Sequence, residues 1–388
     1  MATKNSETPV EISIILPCLN EEKSIGGCLE EIKSVIEKNA LKAEVIVIDN
    51  DSTDDTAKIV SGLLPSFTNL RLIKETRRGY GRAYLTGFKY TQGDYFFMAD
   101  ADGTYDFKDI PRFVEKLKEG YELVVGNRFR GMMAEKSMSW HHKYIGNPIL
   151  SFLAKKFFGI EISDIHCGER ALSKKAFEKM TLYTAGMEFA SEMIIKAAKA
   201  NLKITELPVS YEPRIGESKL RSFRDGWRHL RFIFLYSPLV LFLIPGIILF
   251  SIGLISILVL YFGTFSLGNI RLSLHPMFLS AGSIIAGYQL IYFALFAKTY
   301  AITHMGEKSE LFETLFKYIT IESAGITGMA FILCGTALYS FIVYHWIHQN
   351  FGSLNEIKNS IAALTLLVIG VQTISSSFML SIIGIKER

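Results

Sequence analysis

No aspartate follows Asp225, and from Ser237 to Arg388 the chain carries only seven Lys or Arg and six Glu. The first 236 residues hold the other 35 of 42 basic and 32 of 38 acidic side chains. Charge so scarce over about two-fifths of the length excludes a purely soluble enzyme and implies at least two domains. No C-x-x-C pair is present, and Cys18, Cys28, Cys167 and Cys334 are scattered. That spacing argues against a disulfide framework and suits a reducing cytosol. The net charge of +4 is too small for a nucleic-acid binder. Apolar residues are plentiful throughout, which rules out disorder for most of the chain. The polar start, Met1–Glu11, runs into an apolar segment, Ile12–Leu16, too short for a signal peptide. The charged part is therefore expected to stay in the cytoplasm.

Several catalytic motifs are also missing. There is no Walker A sequence and no G-x-S-x-G nucleophile elbow. Gly79-Tyr80-Gly81 has Tyr84 where a dinucleotide fingerprint needs its third glycine, so NAD binding is not expected.

Four uncharged stretches fill the second part: Ser237–Phe262, Pro276–Ala297, Ala324–Ile347 and Ser360–Gly384. Each is long enough to cross about 30 Å of hydrocarbon as a helix. A charge at the centre of a span would cost about 2.5–3.5 kcal/mol, and none is there. Basic residues cluster before the first stretch (Arg221, Arg224, Arg228, Arg231), between the second and third (Lys298, Lys308, Lys317) and at the end (Lys386, Arg388). The other two loops carry only Arg271 and Lys358, so the positive-inside rule places both termini in the cytoplasm. Just ahead of the first span, Phe223, Trp227, Leu230 and Phe234 form one helical stripe beside a stripe of arginines. Such a helix is expected to lie in the headgroup layer.

Between residues 10 and 210, short apolar runs alternate with helical patterns. Val10–Leu16, Glu44–Asp49, Leu70–Lys74, Tyr95–Ala99 and Leu123–Gly126 read as strands. Glu22–Glu37, Asp54–Leu64, Gly81–Tyr90 and Phe107–Lys118 read as the helices between them. The alternation predicts an α/β domain with a mostly parallel sheet, which binds ligands beyond the carboxyl ends of its strands. Polar residues collect at those ends: Asn20-Glu21-Glu22, Asp49-Asn50-Asp51-Ser52 and Asp100-Ala101-Asp102. In a D-x-D at a strand end, one carboxylate can take a hard divalent cation and the other can bond sugar hydroxyls. Mg²⁺ is commonly held this way, by one or two carboxylates together with substrate phosphates.

These pieces, with Ile14–Glu21, Val45–Asp54, Gly79–Ala83, Gly126–Phe129 and Gly216–Leu220, run in order over residues 12–220. Together they resemble the family 2 glycosyltransferases of the GT-A fold, in particular polyprenyl-phosphate glycosyltransferases such as dolichyl-phosphate mannose synthase. Ahead of the amphipathic interfacial helix (221–236) and four-helix membrane domain (237–388) that charge and hydropathy mark out, the resemblance implies a GT-A catalytic domain (1–220, Rossmann-like with a mostly parallel sheet). It implies inverting transfer of a sugar from a UDP- or GDP-sugar to dolichyl or undecaprenyl phosphate. The cofactor it implies is Mg²⁺ or Mn²⁺. Nucleotide-sugar contacts are expected from Pro17, Leu19, Asn20, Glu21, Asp49, Asp51, Gly79, Arg82, Asp100 and Glu188. The metal is expected at Asp102, with Thr104 where many relatives have Gln. Acceptor phosphate is expected at Arg128, Lys143, Arg214 and Lys219, and catalysis from Asp100, Asp102, Arg128, Arg214 and Lys219. The partners implied are the nucleotide sugar, the lipid and the bilayer; a homo-oligomer is compatible with this reading.

Two other readings stay open. A processive polysaccharide synthase would carry Q-x-x-R-W near the membrane, and this sequence has none. A non-catalytic lipid-carrier transporter or scaffold would not need Asp100, Asp102, Arg128 and Arg214, which are all present.

Overall fold

The computed structural model describes residues 10–216, 222–263, 265–267, 270–272, 274–304 and 320–384. Lys219, Arg221, Lys308, Lys317, Lys386 and Arg388 lie outside the described residues. The chain forms two compact units, Met1–Tyr236 and Ser237–Arg388.

The first unit is a seven-stranded sheet in the order β3-β2-β1-β4-β6-β5-β7. Its strands are β1 (Ile12–Cys18), β2 (Ala43–Asp49), β3 (Leu70–Lys74), β4 (Tyr95–Met98), β5 (Leu123–Asn127), β6 (Arg170–Ser173) and β7 (Ile204–Pro208). All pairings are parallel except those of β6, which runs against β4 and β5. β2 is buried at every position, as expected of a strand covered on both faces.

The covering helices are α1 (Ile25–Lys38), α2 (Thr56–Leu63), α3 (Tyr80–Phe88), α4 (Ile110–Lys118), α5 (Asn147–Phe158), α6 (Lys174–Met180), α7 (Phe189–Lys199) and α8 (Ser222–Leu235). In α1, Ile25, Leu29, Ile32 and Ile36 recur at helical spacing and all are buried. The sheet reverses its winding at β1, between β2 and β4. The loops after β1 and β4 therefore open to one crevice, where sheets of this kind bind ligands. Ser24 ties these two loops together by donating to the carbonyl of Ala101 at 2.7 Å.

Helix α8 belongs to this unit. Phe232 and Ile233 are buried in its core, while Phe223 and Trp227 are 91% and 57% exposed. The first unit thus runs through α8 to Tyr236, and a cut before α8 would strip two side chains from its core.

The second unit comprises α9 (Ile244–Phe262), a short antiparallel pair β8 (Phe265–Leu267) and β9 (Ile270–Leu272), and then α10 (Leu274–His304), α11 (Ile321–His348) and α12 (Ile357–Gly384). Among the described residues, four helices are long and apolar enough to span a membrane, the first beginning with a wider turn at Leu239. Water gives no drive to associate apolar helices inside lipid, so close packing through small residues takes over. A Cβ on Gly287 would stand 2.7 Å from the carbonyl oxygen of Gly246, and one on Gly370 would stand 2.7 Å from that of Gly328. Overpacking of this kind typically costs about 1–3 kcal/mol. Gly287→Val is expected to lower the apparent unfolding temperature of the detergent-solubilised protein by several degrees. Gly282→Val, where nothing lies within 4 Å, should leave it unchanged. Equal behaviour of the two variants would show that the Gly246–Gly287 crossing does not hold the pair together.

Candidate active site

The crevice is a cavity of about 830 Å³, all of it within the first unit. Asp100-Ala101-Asp102 follows β4; Ala101 turns into the core at 1% exposure and the flanking carboxylates turn out of it. Asp102 is fixed from two sides. Its Oδ1 accepts from the Thr104 hydroxyl at 2.6 Å and from the Thr104 amide at 3.1 Å. Its Oδ2 lies 3.0 Å from Arg214 Nη1. Gly103, between them, has φ +77°, a conformation few side chains tolerate. Asp100 fits only because residue 168 is glycine: a Cβ there would come within 2.5 Å of Asp100 Oδ2. Loss of water around Asp100, followed by the charge of Asp102, pushes its carboxyl up to about 7. Neighbouring carboxylates resist ionising together.

The arginine paired with Asp102 also reaches the loop after β1, where its Nη2 donates to Glu21 Oε1. Its segment is hooked to the D-x-D turn by the backbone bonds Glu212 N to Thr104 O and Ile215 N to Asp102 O, both 2.9 Å. A guanidinium therefore occupies the position between Glu21 and Asp102 where a cation is favoured.

Arg128 is held differently. Its Nε and Nη2 grip both oxygens of Asp164, at 2.7 and 2.8 Å, and Asp164 is fully buried. The guanidinium also lies over the Tyr211 ring at 5.1 Å, and Arg128 still lines the cavity. Lys136, Arg224 and Arg228 add further positive charge to the lining, Arg228 with Asp225 3.7 Å away.

Of the residues expected from the sequence, Pro17, Leu19, Glu21, Gly79, Asp100, Asp102, Arg128 and Arg214 line this cavity. Asn20, Asp49, Asp51, Arg82, Thr104, Lys143 and Glu188 stand behind or beside it. Asn20 and Asp51 have positive φ and serve the loops, Asn20 Oδ1 accepting from the Thr53 amide at 2.7 Å and Asp51 pairing with Arg78 at 3.0 Å. Asp49 accepts from the Ser52 amide at 3.0 Å. The Arg82 amide bonds Ala185, and Lys143 sits 5.6 Å over the Tyr144 ring. Glu188 precedes α7, next to Met187 of the lining. Lys219 lies outside the described residues.

Other residues, for which the sequence pointed to no individual binding role, also line the cavity. Asn50 holds the turn after β3, its Nδ2 bonded to Arg77 O at 2.9 Å and its Oδ1 to the Gly79 amide at 2.8 Å. His141, His142, His166 and His229, half of the chain's eight histidines, also face the cavity. Arg170, 2% exposed, has no carboxylate partner among the described residues. It donates to three carbonyls instead: Cys167 at 2.8 Å, Ile165 at 2.7 Å and Ala190 at 2.7 Å.

Among the described residues, no three His, Cys, Asp or Glu side chains converge as a closed metal cage. The site does suit a cation shared with a ligand, because Asp102 and Glu21 already hold a positive group between them.

Residues 13–181 match the sequence model of Glycosyl transferase family 2, and residues 295–384 that of the Glycosyltransferase family 2 C-terminal transmembrane region. The low-salt glycan biosynthesis hexosyltransferase Agl6 of Haloferax volcanii is 34% identical over 386 residues, covering 99% of this chain and 92% of that protein. Glycosyltransferase AglJ of the same organism is 29% identical over 222 residues, 56% of this chain and 69% of its own. Among solved structures, glucosyl-3-phosphoglycerate synthase of Mycobacterium tuberculosis aligns with a TM-score of 0.47 at 20% identity, over 59% of this chain and 80% of that one.

Proposed function

Because the chain belongs to glycosyltransferase family 2, we propose that it moves a hexose from a UDP- or GDP-sugar to a polyprenyl phosphate, with inversion at the anomeric carbon. The observation that carries this is one cavity in which Asp100 and Asp102 face a wall of Arg128, Lys136, Arg214, Arg224 and Arg228. A carboxylate pair suits a metal-bound diphosphate. The five cations share the lining with four carboxylates, Glu21, Asp100, Asp102 and Asp225, and a metal with arginines able to trade a carboxylate for phosphate oxygens suits a second anionic group, the acceptor phosphate. The Haloferax volcanii relative, named for glycan biosynthesis, supports a product destined for a glycan, and the four apolar helices support an acceptor carried in the bilayer. The basic loops support a cytoplasmic catalytic unit.

A lipid phosphate is anionic at neutral pH and attacks without a strong general base. What the protein must supply is alignment of two groups that repel each other, together with charge for the leaving diphosphate. Bound at Asp102, with Thr104 holding that carboxylate in place, Mg²⁺ or Mn²⁺ would supply the second of these. Arg128, locked by Asp164, is a preorganised donor at the cavity wall. Arg214, which has a carboxylate on either side, is free to exchange those partners for phosphate oxygens.

Membranes containing the protein, given radiolabelled UDP-glucose, UDP-N-acetylglucosamine or GDP-mannose with dolichyl or undecaprenyl phosphate, should put label into an organic-extractable lipid. Label in ethanol-insoluble polymer would favour a processive synthase, and no incorporation a scaffold. Arg214→Ala should lower turnover at saturating substrates by about 100-fold, the scale of a lost transition-state donor. Arg214→Lys should restore part of it, since a point charge cannot replace a planar fork. Donor affinity measured by calorimetry with Mg²⁺ should hold or tighten, because alanine no longer competes for Asp102. Donor affinity weakened many-fold, with turnover intact once donor saturates, would make Arg214 a donor clamp.

A further inference from the structure

The histidines on the cavity wall include one whose outward nitrogen no described residue bonds. His229, on α8, is 7% exposed and lines the cavity. Its Nδ1 is 2.8 Å from Ser191 Oγ on α7. Its Nε2 has no hydrogen-bond partner among the described residues, yet is not one of the buried atoms sealed from solvent. A nitrogen neither bonded nor sealed, on a ring otherwise enclosed by protein, faces the cavity. His166 packs edge-on against this ring at 4.4 Å, with its Nε2 3.5 Å from the same Ser191 oxygen. Ser191 thus ties two imidazoles together at one corner of the site.

Burial holds both rings neutral. It drives His229 down to about 4, against the opposite pull of Asp225 and helped by Arg170 and Arg228, and drives His166 well below the usual histidine range. A neutral imidazole among arginines adds little attraction for a phosphate, which the neighbouring cations already serve. It does distinguish a hydroxyl from a hydrogen. Which ring nitrogen carries the proton depends on which way the Ser191 hydroxyl points. A sugar hydroxyl both donates and accepts, so it completes either tautomer, whereas a phosphate oxygen completes only one.

We propose that His229, anchored by Ser191 and backed by His166, is a specificity-determining residue that hydrogen-bonds one hydroxyl of the transferred sugar through Nε2. This rests on the reading that the cavity takes a nucleotide sugar. It adds a residue from α8, a helix whose sequence pattern pointed only to the membrane surface.

The test is a cycle between protein and ligand groups on the full-length protein. The nucleotide sugar selected from the three donors above is compared with its 2-, 3-, 4- and 6-deoxy analogues, where the ring position carries a hydroxyl. One deoxy position should cost the wild type about 10- to 100-fold in kcat/KM, as expected where a buried site partner is left unpaired. In His229→Phe that penalty should fall to about one, while penalties at the other positions persist. Ser191→Ala, which keeps the imidazole but frees it, should give an intermediate penalty at the same position. His229→Gln replaces the phenylalanine variant if that protein does not fold, and should keep part of the discrimination. A uniform loss at all positions in the His229 variants, or full retention of the position-specific penalty, overturns the assignment. Failure of the underlying reading looks different: the wild type would then bind none of the three unmodified donors by calorimetry.

Discussion

Asp102→Asn should lower turnover about 100- to 1000-fold without unfolding the protein, the range seen when one electrostatic partner of a transition state is removed. The substitution is nearly isosteric. An asparagine Oδ1 can still accept from the Thr104 amide and hydroxyl, so the turn after β4 keeps its shape. What changes is Oδ2, which becomes an amide facing Arg214 Nη1 at the distance where a carboxylate now sits, 3.0 Å. A donor then meets a donor, and the negative charge that would hold a divalent cation is gone. Circular dichroism and the apparent unfolding temperature should stay close to wild type, and the metal dependence of donor binding by calorimetry should be lost. Near-normal turnover in excess Mg²⁺ or Mn²⁺ would falsify the role given to Asp102.

The largest effect on stability should come from Asp164→Ala. Asp164 is completely buried and Arg128 is 6% exposed, so truncating the acid strands a guanidinium away from water. Removing one partner of a buried pair typically costs about 3–5 kcal/mol. For a unit of this size each kcal/mol is worth roughly 2–4 °C, so the first unit should melt about 6–20 °C lower. The double variant Arg128→Met/Asp164→Leu should recover much of the loss, because it removes both charges and keeps most of the volume. Thermal melts of the three proteins in one detergent decide it. If the single variant loses less than a degree or two, the pair is solvated in solution and Arg128 is not preorganised.

The sequence made the parallel half of the sheet legible because its strands are long apolar runs separated by helices of regular period. Leu70–Lys74 has the predicted bounds, and the other four predicted strands differ by one or two residues at their ends. β6 escaped notice because it is only four residues, begins with a buried arginine and runs antiparallel. β7 is a mixed polar run, Ile-Thr-Glu-Leu-Pro, without alternation strong enough to stand out. At the site, the D-x-D and the arginines were legible because their chemistry is local to a short motif. The histidine corner was not: Ser191, His166 and His229 come from α7, the loop before β6 and α8, and only the fold brings them together. Helix α8 shows the same limit. Its arginines and aromatics pointed to a bilayer surface, and nothing in that pattern marked Phe232 and Ile233 for the core or His229 for the cavity.

Arg170 has a bearing on how sugar preference could change. Its three carbonyl bonds clamp the loop that carries His166 to the first turn of α7, one residue before Ser191. A flexible wall would let one enzyme adapt its grip to several sugars, at the expense of discrimination among them. This wall is riveted through a single buried side chain, so the corner shifts as one body or not at all. Homologues with other preferences should therefore differ in the identity of the residues at 166, 191 and 229, and much less in the path of the backbone that presents them.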